Sequence, residues 1–396
     1  MHSGVARWFT AGLATLVLTG SIYLLIYPPY EEIPTEGPGR IPALERALRG
    51  DLASARRWCD LGDALADAER MEKADLCYKR AVQLAPGNAL IQIRAVNFRV
   101  IHEQTDQMLP IAKRVLELTR TYDAILFSYF DRLLDDPQVV IAQMRGNREA
   151  LRAYLSHAIA GKQSAFAAHA WAEVEKSGWA DDKLAASYVN ALVADKQYPE
   201  AMAAWVRYLG NRAQEYPGRN LVYNGRFESE PVPCVFDWMI QNVAGATVSR
   251  DGSGGQGGAG LRIDFAGTHN VDYRHVWQAT LLPPGKYRLR ASLKSDGITT
   301  NEGPHIVVTD PADSRGLAVT SDPVAGSQDW TPTELTFTVT DHTRLVLVRI
   351  ARKPSIKFDN KIAGTLWVDN IEVVGQAPLP ANRPPRPVQP GASPAS

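Results

Sequence analysis

The hydrophobic pattern of this chain changes its period once. From residue 41 to residue 216 apolar residues recur at the spacing of amphipathic helices, with no alternating run. Helix-length segments at 89–100, 108–118, 122–134, 149–159 and 165–176 follow that rule. At Pro217-Gly218 the pattern switches to short alternating runs broken by Gly, Pro and Asp: Leu261-Ile263-Phe265, Tyr287-Leu289-Ala291-Leu293, Leu335-Phe337-Val339, Leu345-Leu347, and Trp367 through Val374. The expected fold class is multidomain α + β: stacked helices over 41–216, then an antiparallel β-sandwich over 217–375.

The helical part carries one sharp motif. Trp58, Leu61, Gly62, Leu65, Ala74, Tyr78, Ala81 and Pro86 fall at W-x2-L-G-x2-L, A-x3-Y-x2-A and a late proline. Gly62 and Ala74 are small where two antiparallel helices must touch, the larger residues fill the seam, and Pro86 stops the second helix. This spacing resembles the tetratricopeptide repeat, which implies an α-solenoid of helical hairpins, since one hairpin cannot bury its own apolar face. Residues 182–215 resemble a second, degenerate copy, with Ala201, Leu192 and Trp205 on the positions of Ala74, Leu65 and Tyr78. The resemblance implies a concave groove for a peptide or protein partner, and carries onto it Arg56, Asp63, Asp67, Lys183 and Asn190. Each of these also reads as ordinary solvated surface.

The alternating part contains NLVYNGRFE at 220–228, LLPPGKYRLRASLKS at 281–295 and GTLWVDNIEVV at 364–374. Together they resemble the carbohydrate-binding-module jelly rolls of galactose-binding-like fold. In that family sugars stack on aromatic rings beside polar side chains. The matching candidates here are Trp238, Tyr273, Trp277 and Trp330, with His269, Asp272, Arg274, His275 and Gln278; HNVDYRHVWQ at 269–278 is the densest polar-aromatic cluster in the chain. Trp238 and Trp277 follow strand spacing and read equally as core, whereas Tyr273 and Trp330 sit near run boundaries and are expected to be exposed. In the closing run Trp367, Asp369, Ile371 and Val373 share a face by alternation, which would bury Asp369. The resemblance implies a structural calcium shared by Glu228 and Asp369. The other reading of Asp369 is a carboxylate capping backbone amides or pairing with Arg226.

Composition narrows the function further. Lys plus Arg and Asp plus Glu stand at 43 each in 396 residues, which leaves no basic field to attract nucleic acid. Cys59, Cys77 and Cys234 are too few for a disulfide framework and read as small buried thiols, with pairing left open. The glycine run at 252–257 satisfies the dinucleotide fingerprint in form, but an alternating run follows it where a helix is required. No nucleophile elbow, zinc spacing or H-E-x-x-H stands out, so no catalytic residue and no catalytic cofactor is expected.

At the N-terminus Trp8 to Tyr27 is an uncharged apolar run of 20 residues, about 30 Å long as a helix. Arg7 precedes it, Glu31 and Glu32 follow it, and aromatic residues mark both edges. The expectation is an uncleaved transmembrane anchor at 8–27, with residues 1–7 cytoplasmic, a linker at 28–40 and the rest periplasmic in a bacterial cell. Residues 376–396 are proline-rich and read as a disordered tail. The combined expectation is an inner-membrane scaffold of cell-envelope or exopolysaccharide assembly, holding a protein on its repeats and a glycan on its jelly roll. A purely structural adaptor and a glycan hydrolase or lyase are the alternatives.

Overall fold

The computed structural model describes residues 33–313, 316–340, 342, 344–358 and 360–376. Two compact units divide the chain, the first ending at Ala150 and the second beginning at Leu151. No described helix is long and apolar enough to cross a membrane. The span expected at Trp8–Tyr27 and the tail at 377–396 lie outside the described residues. The fold class is therefore corrected to helical repeats plus a β-sandwich, with no membrane-spanning helix among the described residues, and the membrane contact drawn from that span has no support there.

The first unit holds α1 (Arg40–Gly50), α2 (Ala55–Asp67), α3 (Met71–Leu84), α4 (Ala89–Ile101), α5 (Thr105–Leu118), α6 (Asp123–Leu133) and α7 (Pro137–Met144). Ser54 caps α2 by accepting the Arg57 amide, and Asn88 caps α4 by accepting those of Leu90 and Ile91. α2 and α3 form the expected hairpin. A Cβ on Gly62 would lie 2.9 Å from the Tyr78 ring, Ala74 is fully buried, and α3 stops at Leu84, before Pro86. Tyr78 stacks on Phe98 of α4 at 4.6 Å, which joins this hairpin to the next.

α4 and α5 form a second hairpin that lacks the sequence signature and shares the turn. Glu69 ends α2 and Glu103 ends α4, each with positive φ, 58° and 56°. The amide that follows bonds back five residues, Arg70 to the Leu65 carbonyl at 2.8 Å and Gln104 to that of Arg99 at 2.9 Å. This left-handed closure satisfies carbonyls that a helix end would otherwise leave open. Glu69 and Glu103 stand one period of ~34 residues apart, the length of the repeat.

The second unit begins within α8 (Arg148–Ala160) and continues through α9 (Ser164–Lys176), α10 (Asp182–Ala194) and α11 (Tyr198–Leu209). Lys162 and Lys196 repeat the same turn at φ 55° and 61°, with Gln163 bonded to the Ala158 carbonyl and Gln197 to that of Leu192. Ala201 and Trp205 are fully buried, as the degenerate copy required. Helices give way to strands between Ala213 and Met239.

The sandwich consists of two five-stranded antiparallel sheets. One runs β1 (Met239–Ile240), β4 (Tyr273–Leu282), β9 (Arg344–Arg352), β6 (His305–Thr309), β7 (Ala318–Thr320). The other runs β2 (Ala246–Asp251), β3 (Gly260–Ala266), β10 (Ala363–Gly375), β5 (Gly285–Ile298), β8 (Gly326–Val339). Alternate residues of both sheets meet in one core that includes Leu261, Ile263, Val276, Leu289, Val346, Val348, Ile350, Leu366 and Val368. In the alternating run of β9 it is Val346 and Val348 that enter this core, whereas Leu345 and Leu347 face the other way and are only half-buried.

The opening motif closes the fold. Leu221 donates to the Val373 carbonyl at 2.9 Å, Ile371 donates to the Gly225 carbonyl at 2.9 Å, and a Cβ on Gly225 would stand 1.9 Å from the Ile371 oxygen. Only glycine fits there. β10 does not keep one face along its length. A β-bulge between Asp369 and Glu372, with Asn370 at φ 51°, flips the alternation, so Leu366 and Val368 point inward before it and Ile371 and Val373 after it. Trp367 thus lies outside, half-exposed, and the shared face expected for Trp367, Asp369, Ile371 and Val373 does not form.

Candidate functional site

Three of the expected sugar contacts are internal parts of the sandwich. Trp238 is buried against Phe227 at 5.2 Å and donates its indole N–H to the Asn224 carbonyl at 3.1 Å. Gln278 is 1% exposed and uses its whole amide as a clamp, Oε1 accepting the Tyr223 amide at 2.8 Å and Nε2 donating to the Tyr223 carbonyl at 2.9 Å. Tyr273, expected outside, is 0% exposed and packs edge-on to Phe265 at 5.8 Å. Its inward turn comes from a bulge between Tyr273 and Val276, which inserts one residue into β4 and reverses the alternation there.

The remaining candidates divide between the sheets. Trp330 lies half-buried within β8, in the interior of a strand and not at its end. His269 is exposed in the β3–β4 loop with Nδ1 2.7 Å from the Thr268 hydroxyl. Asp272 and Arg274 are exposed and form a two-pronged pair, Nε to Oδ1 at 3.0 Å and Nη2 to Oδ2 at 2.8 Å, which holds the Asp272 carboxyl below its ordinary pKa. His275 and Trp277 are half-buried. Val276 between them points into the core, so Trp277 stands on the outer face of its sheet, level with Met239 of β1 and Arg349 of β9. Sequence reasoning missed Arg349. The one signal is a charged residue at an outward position of the alternating run RLVLVRIAR.

Trp277 and Trp330 differ from Trp367, the third sandwich tryptophan outside the core. The Trp367 ring is flanked by the Arg262 guanidinium at 5.6 Å and the Lys294 ammonium at 5.7 Å. The Trp277 indole has neither a ring nor a cation against it among the described residues. A cleft of about 830 Å³ lies between the 214–229 segment and the outer face of the second sheet. Its charges are largely satisfied internally, Arg290 pairing with Glu334 at 2.9 Å and with Glu372 at 3.7 Å, and its two lining tyrosines, Tyr216 and Tyr223, are buried. It offers no aromatic platform.

The two metal candidates face one glycine loop. Asp369 is 3% exposed; its Oδ2 accepts the Gln256 amide at 2.8 Å and its Oδ1 accepts the Asn370 amide at 2.6 Å. Glu228, exposed, accepts the Ala259 amide at 3.3 Å. Burial raises the Asp369 pKa and the negative charge of Glu228 adds to the rise, against the two amides and Arg226. The amide-capping reading of Asp369 is thus realised in the structure. No group of three or more metal-ligating side chains occurs among the described residues, so an ion held here would need loop carbonyls beside the two carboxylates.

On the repeats, Arg56 and Lys183 are exposed, and Asp67 is tied to Arg40 at 2.9 Å. Asp63 is bound to Arg94 and to the Tyr78 hydroxyl, and Arg94 also reaches Asp60 at 2.8 Å. Asn190 is engaged within the chain. It clamps the segment before β1, Nδ2 donating to the Pro233 carbonyl at 3.0 Å and Oδ1 accepting the Val235 amide at 2.9 Å. All three cysteines are free and buried, and burial pushes the thiols up, to about 12 for Cys59, about 11 for Cys77 and about 12 for Cys234.

No protein-family model matches this chain, and no curated protein matches it in sequence. Among solved structures it is similar to TmCBM61 in complex with beta-1,4-galactotriose, with TM-score 0.27, 16% identity, and 40% of this chain and 100% of that chain covered. A CBM4 structure gives TM-score 0.29 and 18% identity over 39% of this chain and 99% of that one. YrrB, a TPR protein with an unusual peptide-binding site, gives TM-score 0.25 and 13% identity over 44% of this chain and 94% of that one. The structural neighbours thus include both carbohydrate-binding-module sandwiches and a TPR protein. Likeness of this extent carries no argument about what this chain binds.

Proposed function

We propose that this chain is a non-enzymatic binding scaffold, whose helical repeats take a peptide or protein and whose sandwich takes a glycan on the outer face of the β1-β4-β9-β6-β7 sheet. The observation that supports the glycan reading is the half-exposed Trp277 indole. It stands on β4, uncovered by any ring or cation among the described residues, opposite Arg349 on β9, while the His275 ring two residues away lies against Tyr273 at 5.5 Å. An aromatic plane with polar neighbours suits a pyranose, whose C–H face stacks while its hydroxyls bond. Affinity electrophoresis of the whole protein and of Trp277→Ala through gels carrying plant and bacterial polysaccharides tests this. At least one polysaccharide should retard the parent, and the substitution should weaken that retardation at least tenfold. A parent that none of them retards, or a variant retarded equally, removes the glycan role.

A second reading draws on Asn190. Its clamp on Pro233 and Val235, with Trp205 edge-on to Tyr223 at 6.0 Å, ties α10 and α11 to the sandwich. A sandwich held this way also suits a structural adaptor that caps the last repeat and binds no sugar. Calcium belongs to the proposal as a structural ion that would relieve the repulsion between Glu228 and Asp369, with the glycine loop completing its oxygen shell.

A further inference from the structure

Among the described residues no counter-charge balances Arg349. Val348 and Ile350 on either side point into the core at 1% exposure, so alternation places Arg349 on the outer face, directly opposite Trp277 on β4 and Val307 on β6. The residue is half-buried, and its Nε is sealed from solvent without an acceptor. No described carboxylate pairs with it. The contrast with its neighbour is plain, because Arg274 spends Nε and Nη2 on Asp272. Burial holds the Arg349 pKa down, Arg274 adds like-charge repulsion, and no described acidic group offsets either. A guanidinium stays ionised in proteins, so a half-buried one without a counter-charge is a cost the fold carries. Of its nitrogens only Nε is both sealed and unpaired, so the terminal pair remains open to a two-pronged contact with an anion.

We infer that the Trp277–Arg349 pair selects an anionic glycan, with the guanidinium of Arg349 receiving the acidic substituent of a sugar whose apolar face stacks on Trp277. This rests on the glycan reading above and adds the class of sugar. The substituent is a uronate carboxylate or a sulfate ester, both of which match the planar fork of the guanidinium.

The test uses the whole protein and two pairs of polymers, polygalacturonate against its carboxyl-reduced form and dextran sulfate against dextran, by affinity electrophoresis at constant salt. At least one acidic polymer should bind ten times more tightly than its neutral counterpart or better, and the pair in which this occurs identifies the substituent. Arg349→Gln should abolish that preference and Arg349→Lys should restore part of it, a fork being replaced by a point charge. The thermal midpoint of Arg349→Gln should equal or exceed that of the parent, since an unbalanced charge is removed. Binding of neutral and acidic polymers with equal strength, or a preference that survives Arg349→Gln, overturns the inference and leaves the glycan reading standing. A parent that binds no polysaccharide of any charge removes both.

Discussion

Asp237 is a carboxyl sealed inside the second unit, between the last helices and the first strand. It is 1% exposed, and burial lifts its pKa from 3.8 to about 6 although the amides of Val232 and Trp238 donate to it at 3.0 and 2.7 Å. The folded protein therefore holds this proton more tightly than the unfolded chain does. Its contribution favours folding below the unfolded pKa and is lost as pH rises through about 6. At neutral pH the penalty is about 3 kcal/mol, at ~1.4 kcal/mol per pKa unit. Denaturant midpoints measured from pH 4 to pH 7 should rise for Asp237→Asn relative to the parent as pH increases, and parallel curves would show that Asp237 ionises without cost. Asp369 tests the calcium reading. Calcium should raise the thermal midpoint of the parent by several degrees over chelator, with Asp369→Asn losing the gain; equal midpoints with calcium and chelator would leave Asp369 as an amide cap alone.

Among the elements, the turn that ends α2, α4, α8 and α10 defines the repeat better than its signature residues do. The hairpin of α2 and α3 was legible in the sequence because close helix contact demands small residues, and Gly62 and Ala74 supply them. The hairpin of α4 and α5 was legible only as a diverged one from its helical period, because its sharpest mark is a backbone conformation that Glu103 adopts without any change of residue type. Replacing exposed Glu103, at φ 56°, with glycine should stabilise the protein by about 1 kcal/mol, since glycine meets no Cβ penalty in that region. A lower unfolding midpoint for Glu103→Gly would contradict the turn. In the sandwich, the period of two located the strands, but a single bulge in β4 and another in β10 reversed the faces of Tyr273 and Trp367. An alternation pattern carries no record of an inserted residue whose neighbours stay apolar. Gln278 and Asn190 escaped for another reason: a polar residue that clamps backbone looks, in sequence, like one that meets a ligand.

For the whole molecule, helical repeats followed by a sandwich were readable from one change of period, whereas the ligand face depended on which aromatic residues survive outside the core. Trp238 and Tyr273 do not, Trp367 is flanked by two cations, and Trp277 and Trp330 remain, of which Trp277 has Arg349 opposite it on the neighbouring strand. Arg349 joined the site only when β9 was laid beside β4. The central claim is that this outer face is where a sugar sits. A crystal structure of the protein with an oligosaccharide taken from whichever polymer retards it tests that claim most directly. The account predicts a pyranose stacked on Trp277 with its acidic group on Arg349; a sugar lodged instead in the cleft beside Arg290 and Glu334, with Trp277 bare, would contradict it.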